Sequence, residues 1–309
     1  MDKTLSFPRN PAARRWNRLF SLWQVGAQPI LVAGHGRSGT TWVGKTLGMS
    51  PHCLYYHEPC SPHRIRGGFD DWFRYLAPGS RDPGCLEPTL DRVFGRLVCP
   101  GWRWQHPLRT RLLPGYRVVV KEVAAAMSVE WIASRYQPKV VIVLRHPCPV
   151  ILSVLALGTS PEAEVAALLR QTKLFRDHLE LWRRTIEQAS TAFEKIAVVW
   201  AARHRVIANA ITRNPGWLRV FYEQLCLNAK GVFRGVFEHL GLVWTREVED
   251  YVAYSSSNNL PGAFETVRIS SVQPDAWKTK FTAREARSVR QMVERFDLPF
   301  YTSDEHWIR

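Results

Sequence analysis

Apolar and polar positions change rhythm along the chain, and the changes predict alternating elements. Pro29-Ile-Leu-Val-Ala33 is a short continuous apolar run and predicts a buried strand. A helical stretch follows from Trp42 to about Met49, then a second short strand over Cys53–Tyr56. Tyr116–Lys121 is β-branched and strand-like, and Val129–Tyr136 fits a short helix. Lys139–Leu144 is apolar on both faces, which suits the centre of a parallel sheet. Over 161–188, Val165, Leu168, Leu169, Thr172, Phe175, Leu179 and Trp182 recur at spacings of three and four, predicting one helix. A helix over 192–213, a strand over Trp217–Tyr222 and a helix over Gln224–Leu240 follow. The last helix spans about Thr282 to Phe296. Thr282 is its N-cap and Glu285 stands three residues on, a capping box.

Strands alternating with helices predict an α/β fold with a mainly parallel central sheet flanked by helices. No internal repeat and no linker divides residues 29–309, which read as a single domain. Residues 1–28 carry Arg9, Arg14, Arg15 and Arg18 and read as a basic arm. They lack the continuous apolar core of a signal peptide. Residues 59–88 are rich in Pro, Gly and Arg, and the stretch 59–111 reads as an insertion that sets substrate specificity.

Apolar residues make up 46% of the 309, which excludes a disordered chain and allows a sizeable core. No stretch approaches the roughly 18 apolar residues of a membrane span. Cysteines at 53, 60, 85, 99, 148 and 226 form no C-x-x-C pair and are too sparse for a disulfide scaffold. No Asn-x-Ser/Thr acceptor occurs. A reduced, cytoplasmic setting is therefore expected. The net charge of +15 is compatible with an association with the membrane surface. It equally fits nucleic acid, an acidic polymer or an anionic cofactor. No nucleic-acid motif or clustered basic stripe accompanies it, so no nucleic-acid partner is expected.

The first strand runs into Gly34-His-Gly-Arg-Ser-Gly-Thr-Thr41 and then a helix, the context a phosphate-binding loop requires. Glycines let backbone N–H groups approach an anion, and the helix N-terminus adds about half a positive charge. Thr40 and Thr41 add hydroxyls. A nucleoside triphosphatase has Lys where this chain has Thr40; here the cation is Arg37. The loop suits a phosphate-like group but not ATP with magnesium. A second segment, Arg145-His-Pro-Cys-Pro-Val-Ile-Leu-Ser153, follows the strongest strand. Arg145 stands at a strand's C-terminal end, where open α/β sheets bind ligands, and Arg with Ser can hold a second phosphate.

These two segments resemble the signatures of the sulfotransferases that use 3′-phosphoadenosine 5′-phosphosulfate (PAPS). The resemblance spans about residues 29–296, with 59–111 unmatched. It implies a phosphate-loop-containing sulfotransferase fold. Gly36, Arg37, Ser38, Gly39, Thr40, Thr41 and Trp42 would cradle the 5′-phosphosulfate. Arg145 and Ser153, eight residues apart, would bind the 3′-phosphate. Phe221-Tyr-Glu-Gln-Leu225 is similar to a family segment whose Tyr, here Tyr222, approaches the adenosine. Val267–Phe281 is similar to the loop that folds over the cofactor, with Arg268, Ser270, Ser271 and Lys278 as its contacts. The products would be the sulfated acceptor and adenosine 3′,5′-bisphosphate, and the reaction requires no metal.

Sulfuryl transfer needs a base for the acceptor hydroxyl. Glu58 lies 21 residues after Arg37 and resembles the catalytic Glu of tyrosylprotein sulfotransferases. Golgi carbohydrate enzymes have a similar Glu-Pro, whereas the His motif of the cytosolic enzymes has no match here. Glu58 ranks first, with Glu122, His57 and His63 behind it; a salt bridge to Arg64 or Arg66 is the structural alternative for Glu58. Trp102 and Trp104 interleave with Arg103, Arg109 and Arg111, which fits an anionic polysaccharide or a glycolipid. The expected function is thus sulfuryl transfer from PAPS to an acceptor hydroxyl, most naturally of a carbohydrate or glycoconjugate. A tyrosyl peptide, lipid, or small alcohol or phenol is the alternative acceptor, and a divergent phosphate-loop kinase is the competing enzyme class.

Overall fold

A computed structural model describes residues 28–62, 73–82, 84, 86–94, 116–262 and 265–307. Its centre is a five-stranded, all-parallel sheet in the order β2-β3-β1-β4-β5. The strands are β1 (Ile30–Gly34), β2 (Cys53–His57), β3 (Arg117–Glu122), β4 (Lys139–Leu144) and β5 (Leu218–Phe221). β1 pairs with β3 on one side and β4 on the other, from Ile30 opposite Val119 and Lys139. The two-residue period of a strand sends alternate side chains into separate cores. Leu31, Val118, Val120, Ile142 and Leu144 enter one; Ile30, Val32, Val119, Val141 and Val143 enter the other.

The second core is roofed by α1 (Thr40–Gly48), α8 (Ala229–Leu240) and α9 (Arg246–Ser257), through Trp42, Val43, Phe233, Phe237 and Val252. The larger core lies under α2 (Leu86–Phe94), α3 (Val129–Tyr136), α4 (Pro147–Leu155), α5 (Pro161–Leu169), α6 (Ala192–Arg213) and α10 (Ala283–Glu294). A short helix, α7 (Tyr222–Leu227), follows β5 directly. α6 and α10 both begin in capping boxes, Thr191 with Glu194 and Thr282 with Glu285.

Four expectations need correction. The helix expected over 161–188 breaks after Leu169. Gln171 leaves the helical frame, and a π-helical turn (Phe175–Leu179) and a 3₁₀ turn (Glu180–Trp182) follow. The apolar spacing survives because Leu168, Phe175 and Leu179 are all buried. The helix expected over 224–240 is two helices, divided at Asn228, whose Oδ1 accepts from Gly231 N at 3.0 Å. Asn competes with helical backbone bonding and favours caps. Part of the 59–111 stretch is the amphipathic helix α2, burying Leu86, Leu90, Val93 and Phe94. α9 also lay outside the pattern; Thr245 caps it through Val248 N. The basic arm, His63, Arg64, Arg66 and the Trp/Arg segment at 101–111 lie outside the described residues.

Candidate active site

Every strand ends on the same edge of the sheet, and β1 lies between its two directions of growth. The crevice between the ends of β1 and β4 is the topological switch point, where such folds bind ligands. A cleft of about 1140 Å³ opens there, lined by residues that follow β1, β2, β3, β4 and β5. A smaller hollow of about 380 Å³, between Arg205–Arg213 and Asp297–Pro299, shares none of these residues.

The loop after β1 turns through two left-handed positions, Arg37 at φ 68° and Gly39 at φ 87°. Gly39 begins α1, and no side chain caps that helix. Its first-turn N–H groups therefore face the cleft without a capping oxygen of the usual kind. A Cβ at position 39 would stand 2.4 Å from Cδ2 of Tyr222, so only glycine meets both the backbone angle and the contact. Trp42 supports the loop from below: its Nε1 donates to Ser255 Oγ at 2.9 Å, and its ring meets Tyr222 and Phe233 edge-on.

Three guanidinium groups converge on this loop. Arg37 Nε donates to Ser153 Oγ at 2.7 Å, joining the β1 loop to α4. Arg145 Nη1 donates to the Arg37 carbonyl at 2.8 Å, and its guanidinium lies 4.2 Å over the Tyr222 ring. Arg268 also lines the cleft, anchored by a 2.7 Å bond from Nη2 to Gly262 O. Burial lowers the pKa of Arg37, and the like charges of Arg145 and Arg268 lower it further. Arg145 Nε is buried here with no hydrogen-bond partner; Ser38, expected at the cofactor, is fully buried and does not line the cleft. Clustered cations with unspent donors are what a polyanionic ligand would complete.

The carboxylates occupy different positions. Glu58, at φ 47°, follows β2, and its N–H donates to Lys121 O at 2.7 Å. Its Oε1 forms an ion pair with Lys121 Nζ. The Lys121 side chain is 3% exposed and that of Glu58 19%. Burial lowers the Lys121 pKa, and Glu58 is the strongest opposing influence. Both residues line the cleft. Glu122 points away from it: Oε2 accepts from Cys60 N at 2.9 Å and Oε1 from Ala125 N at 3.4 Å. Burial raises its pKa. Glu122, ranked second as a base from the sequence, is therefore off the cleft wall; it ties the loop after β2 to the turn after β3. His57 lines the cleft, with Nδ1 3.1 Å from Tyr55 Oη.

Of the residues singled out in the sequence, Gly36, Arg37, Gly39, Thr40, Thr41, Trp42, Glu58, Arg145, Ser153, Tyr222 and Arg268 line one cleft. The rest of the C-terminal loop differs from expectation. Ser270 is buried and donates to Cys226 O at 2.9 Å, holding the loop to α7. Ser271 is exposed, and Lys278 pairs with Asp275 at 2.7 Å. Gln273, Trp277 and Lys280 line the cleft instead. Sequence reasoning also missed Lys121, His35 and Arg203. Lys121 was legible only as a strand residue, and Arg203 sits in the middle of an amphipathic helix where nothing local marks it.

A parallel α/β protein with a phosphate loop at its switch point, and a second cationic node beside it, is the class these features define. The model of the sulfotransferase family matches residues 29–246, and the chain belongs to that family. Among solved structures it is similar to the sulfotransferase domain of the Synechococcus PCC 7002 olefin synthase. Identity there is 15%, over 89% of this chain and 98% of that one, with a TM-score of 0.49. The sulfotransferase domain from the curacin biosynthetic pathway gives 12%, 88% and 98%, with a TM-score of 0.48. Mouse sulfotransferase SULT7A1 complexed with PAP gives 14%, 94% and 91%, with a TM-score of 0.41. No curated protein sequence matches the chain. No helix among the described residues is long and apolar enough to cross a membrane.

Proposed function

We propose that the protein transfers a sulfuryl group from PAPS to an acceptor hydroxyl, with Glu58 as the base. The observation that carries this is the pairing of two anion-binding features in one cleft. One is the uncapped α1 N-terminus; the other is the cluster in which Arg37 donates to Ser153 Oγ and Arg145 donates to the Arg37 carbonyl. A nucleotide phosphorylated at both ends of its ribose offers an anion to each, and ATP does not. The unpartnered Arg145 Nε and the glycine cradle under Tyr222 fit such a group.

PAPS, when bound, supplies an activated sulfuryl group on a phosphate leaving group. The chain's own residues then have separable tasks. Arg37 and the N–H groups of Gly39, Thr40 and Thr41 hold the 5′ end and meet the negative charge that develops there. Arg145 and Ser153 fix the 3′-phosphate, Tyr222 walls the adenosine, and Trp42 holds Tyr222 and the loop in place. Arg268 covers the anions from the C-terminal loop. Glu58 accepts the acceptor's proton at its carboxylate, and Lys121 supplies a buried positive charge beside it. The saccharide expectation rests on Trp102 and Trp104, outside the described residues, so it gains no support from the cleft.

Thermal unfolding with adenosine 3′,5′-bisphosphate, and separately with ATP and magnesium, tests the reading. A ligand at 100 times its dissociation constant adds about 2.7 kcal/mol to folded-state stability. Stabilisation by the bisphosphate that persists in chelator is expected. Stabilisation by ATP with magnesium alone would return the protein to the kinase class.

A further inference from the structure

Arg203 lies in the middle of α6, 5% exposed, on a helix that sends Val199, Ala202 and Val206 into the larger core. A charged group in such a place is costly unless it is paired and hydrogen-bonded. An apolar side chain of similar length would fill the space without burying a charge. The bonds of Arg203 lead to the phosphate loop. Its Nη2 forms an ion pair with Glu164 of α5. Its Nη1 donates to His35 Nε2 at 3.1 Å, and its guanidinium lies 3.6 Å over the Phe73 ring. Arg203, Glu164, His35 and Phe73 all line the cleft.

His35 is the second residue of the loop after β1 and is 2% exposed. Its Nδ1 stands 2.7 Å from Gly36 O, a carbonyl that only accepts, so Nδ1 carries the proton. Nε2 of the neutral ring is then an acceptor, which is what Arg203 Nη1 requires. The two bonds demand the same tautomer; a proton on Nε2 would set donor against donor. Burial opposes the imidazolium, and the charges of Arg203 and His204 oppose it further. The ring is also stacked, at 5.1 Å on Phe73 and 5.6 Å on His204. His35 therefore has one orientation and one protonation state.

That ring governs the peptide on which the anion-binding groups hang. A trans peptide points its N–H opposite to its C=O, so holding Gly36 O fixes the direction of the Arg37 N–H. Arg37 sits at φ 68°, an angle that a non-glycine residue keeps only where its surroundings enforce it. Both further links of the site start from Arg37: its carbonyl receives Arg145 Nη1 and its Nε reaches Ser153 Oγ. A turned Gly36–Arg37 peptide would disturb both.

We propose that Arg203, backed by Glu164, is a positioning residue for the phosphate loop. It holds His35 as the Nδ1–H tautomer, and His35 holds the Gly36 carbonyl, so that Arg37 and its two partners face the anion together; the identity of that anion rests on the sulfuryl-transfer reading. An arginine kept only for its ion pair would stabilise the fold and leave the tautomer and the ligand affinity alone.

Nitrogen-15 NMR of the histidine rings and calorimetry with adenosine 3′,5′-bisphosphate test this together, the His35 signals being those absent from His35→Phe. The wild type should show His35 protonated at Nδ1 alone, with or without ligand. In Arg203→Met the Nε2–H form should appear, and bisphosphate affinity should fall about tenfold or more. Arg203→Met with Glu164→Gln, which removes the carboxylate left behind, should do the same. His35→Phe keeps a ring and drops both bonds; it should lose as much affinity, and combining it with Arg203→Met should cost little more, because the two act through one chain of bonds. An Arg203 variant with the wild-type tautomer, with unchanged affinity, or with losses that add to those of His35→Phe overturns the proposal. His35→Phe leaves the Arg203–Glu164 pair intact and carries the test if the Arg203 variants fail to fold; unchanged affinity there overturns it equally. Failure of the bisphosphate to bind the wild type overturns the donor reading, and the tautomer, read without ligand, still decides whether Arg203 holds the loop.

Discussion

Replacing Glu58 by Gln removes the carboxylate from a buried ammonium, and the consequences can be worked out from the pair's geometry. Lys121 is almost fully buried, and Glu58 is its main stabilising partner. Breaking a buried pair from one side costs roughly 3–5 kcal/mol, because the remaining charge is uncompensated. Lys121 has an escape: it can fold as the neutral amine. Bringing a group of ordinary pKa 10.5 into the folded state unprotonated at neutral pH costs about 5 kcal/mol, which caps the penalty. The sign follows. In the variant the unfolded chain holds one proton more than the folded one, so stability rises with pH, by about 1.4 kcal/mol per unit, until Lys121 is neutral in both states. Urea unfolding of Glu58→Gln between neutral pH and pH about 10 reads this slope directly. Adding Lys121→Met should restore stability and abolish its pH dependence. Turnover separates the two roles of Glu58. As a base, its loss lowers turnover by about 10²–10⁴ in both variants. A double variant with restored stability and near-normal turnover would show that Glu58 serves only to neutralise Lys121. A single variant with unchanged, pH-independent stability would refute the electrostatic reasoning.

Four other outcomes follow from the site and the core. Arg145→Ala should weaken adenosine 3′,5′-bisphosphate by about 10–150-fold and adenosine 5′-phosphosulfate far less, by calorimetry; equal losses contradict two separate anion sites. Gly39→Ala forces an L-residue to φ 87° and a methyl group into the Tyr222 ring, so bisphosphate binding should be lost while far-UV circular dichroism is kept; retained affinity would mean Tyr222 is not part of the nucleotide wall. Glu122→Ala should cost about 1–3 kcal/mol in urea unfolding, because Cys60 N loses its acceptor, with turnover little changed; a large kinetic loss would restore Glu122 as a base candidate. Acidification tests the buried histidines. Burial holds His146 and His204 at about 3 and His35 well below its ordinary value, so each stays neutral in the fold and takes a proton on unfolding. Stability should therefore fall as pH drops below about 6.5, by up to about 4 kcal/mol per unit for the three together; unfolding free energies level between pH 7 and 5 would contradict their burial as neutral rings.

The phosphate loop was legible because its physics is local. A buried strand, glycines at a turn and a helix start occupy one continuous segment, and Arg37 declares itself within it. Arg145 with Ser153 was legible for the same reason: strand end, loop and helix again form one stretch of chain. The parallel sheet followed from apolar runs that are buried on both faces, and the strand order did not. Order depends on which crossovers pack best, a sum over the whole core. The Lys121–Glu58 pair joins the ends of β2 and β3, neighbours only because β3 returns between β2 and β1. Strand alternation alone would have sent Lys121 to solvent or to a core. His35, Phe73, Arg203 and Glu164 meet across separations of 38 to 168 residues, through α5 and α6 packing back over the sheet. The register of the C-terminal loop was equally hidden, since Ser270 is spent on Cys226 and Lys280 reaches the cleft through tertiary contacts. Sequence determined the fold class and the phosphate-loop end of the cleft, where charge and backbone geometry are set by adjacent residues. Only tertiary structure decided the partner of Glu58 and the company of His35, Phe73 and Arg203, because ion pairing and ring stacking here join segments that are distant in the chain.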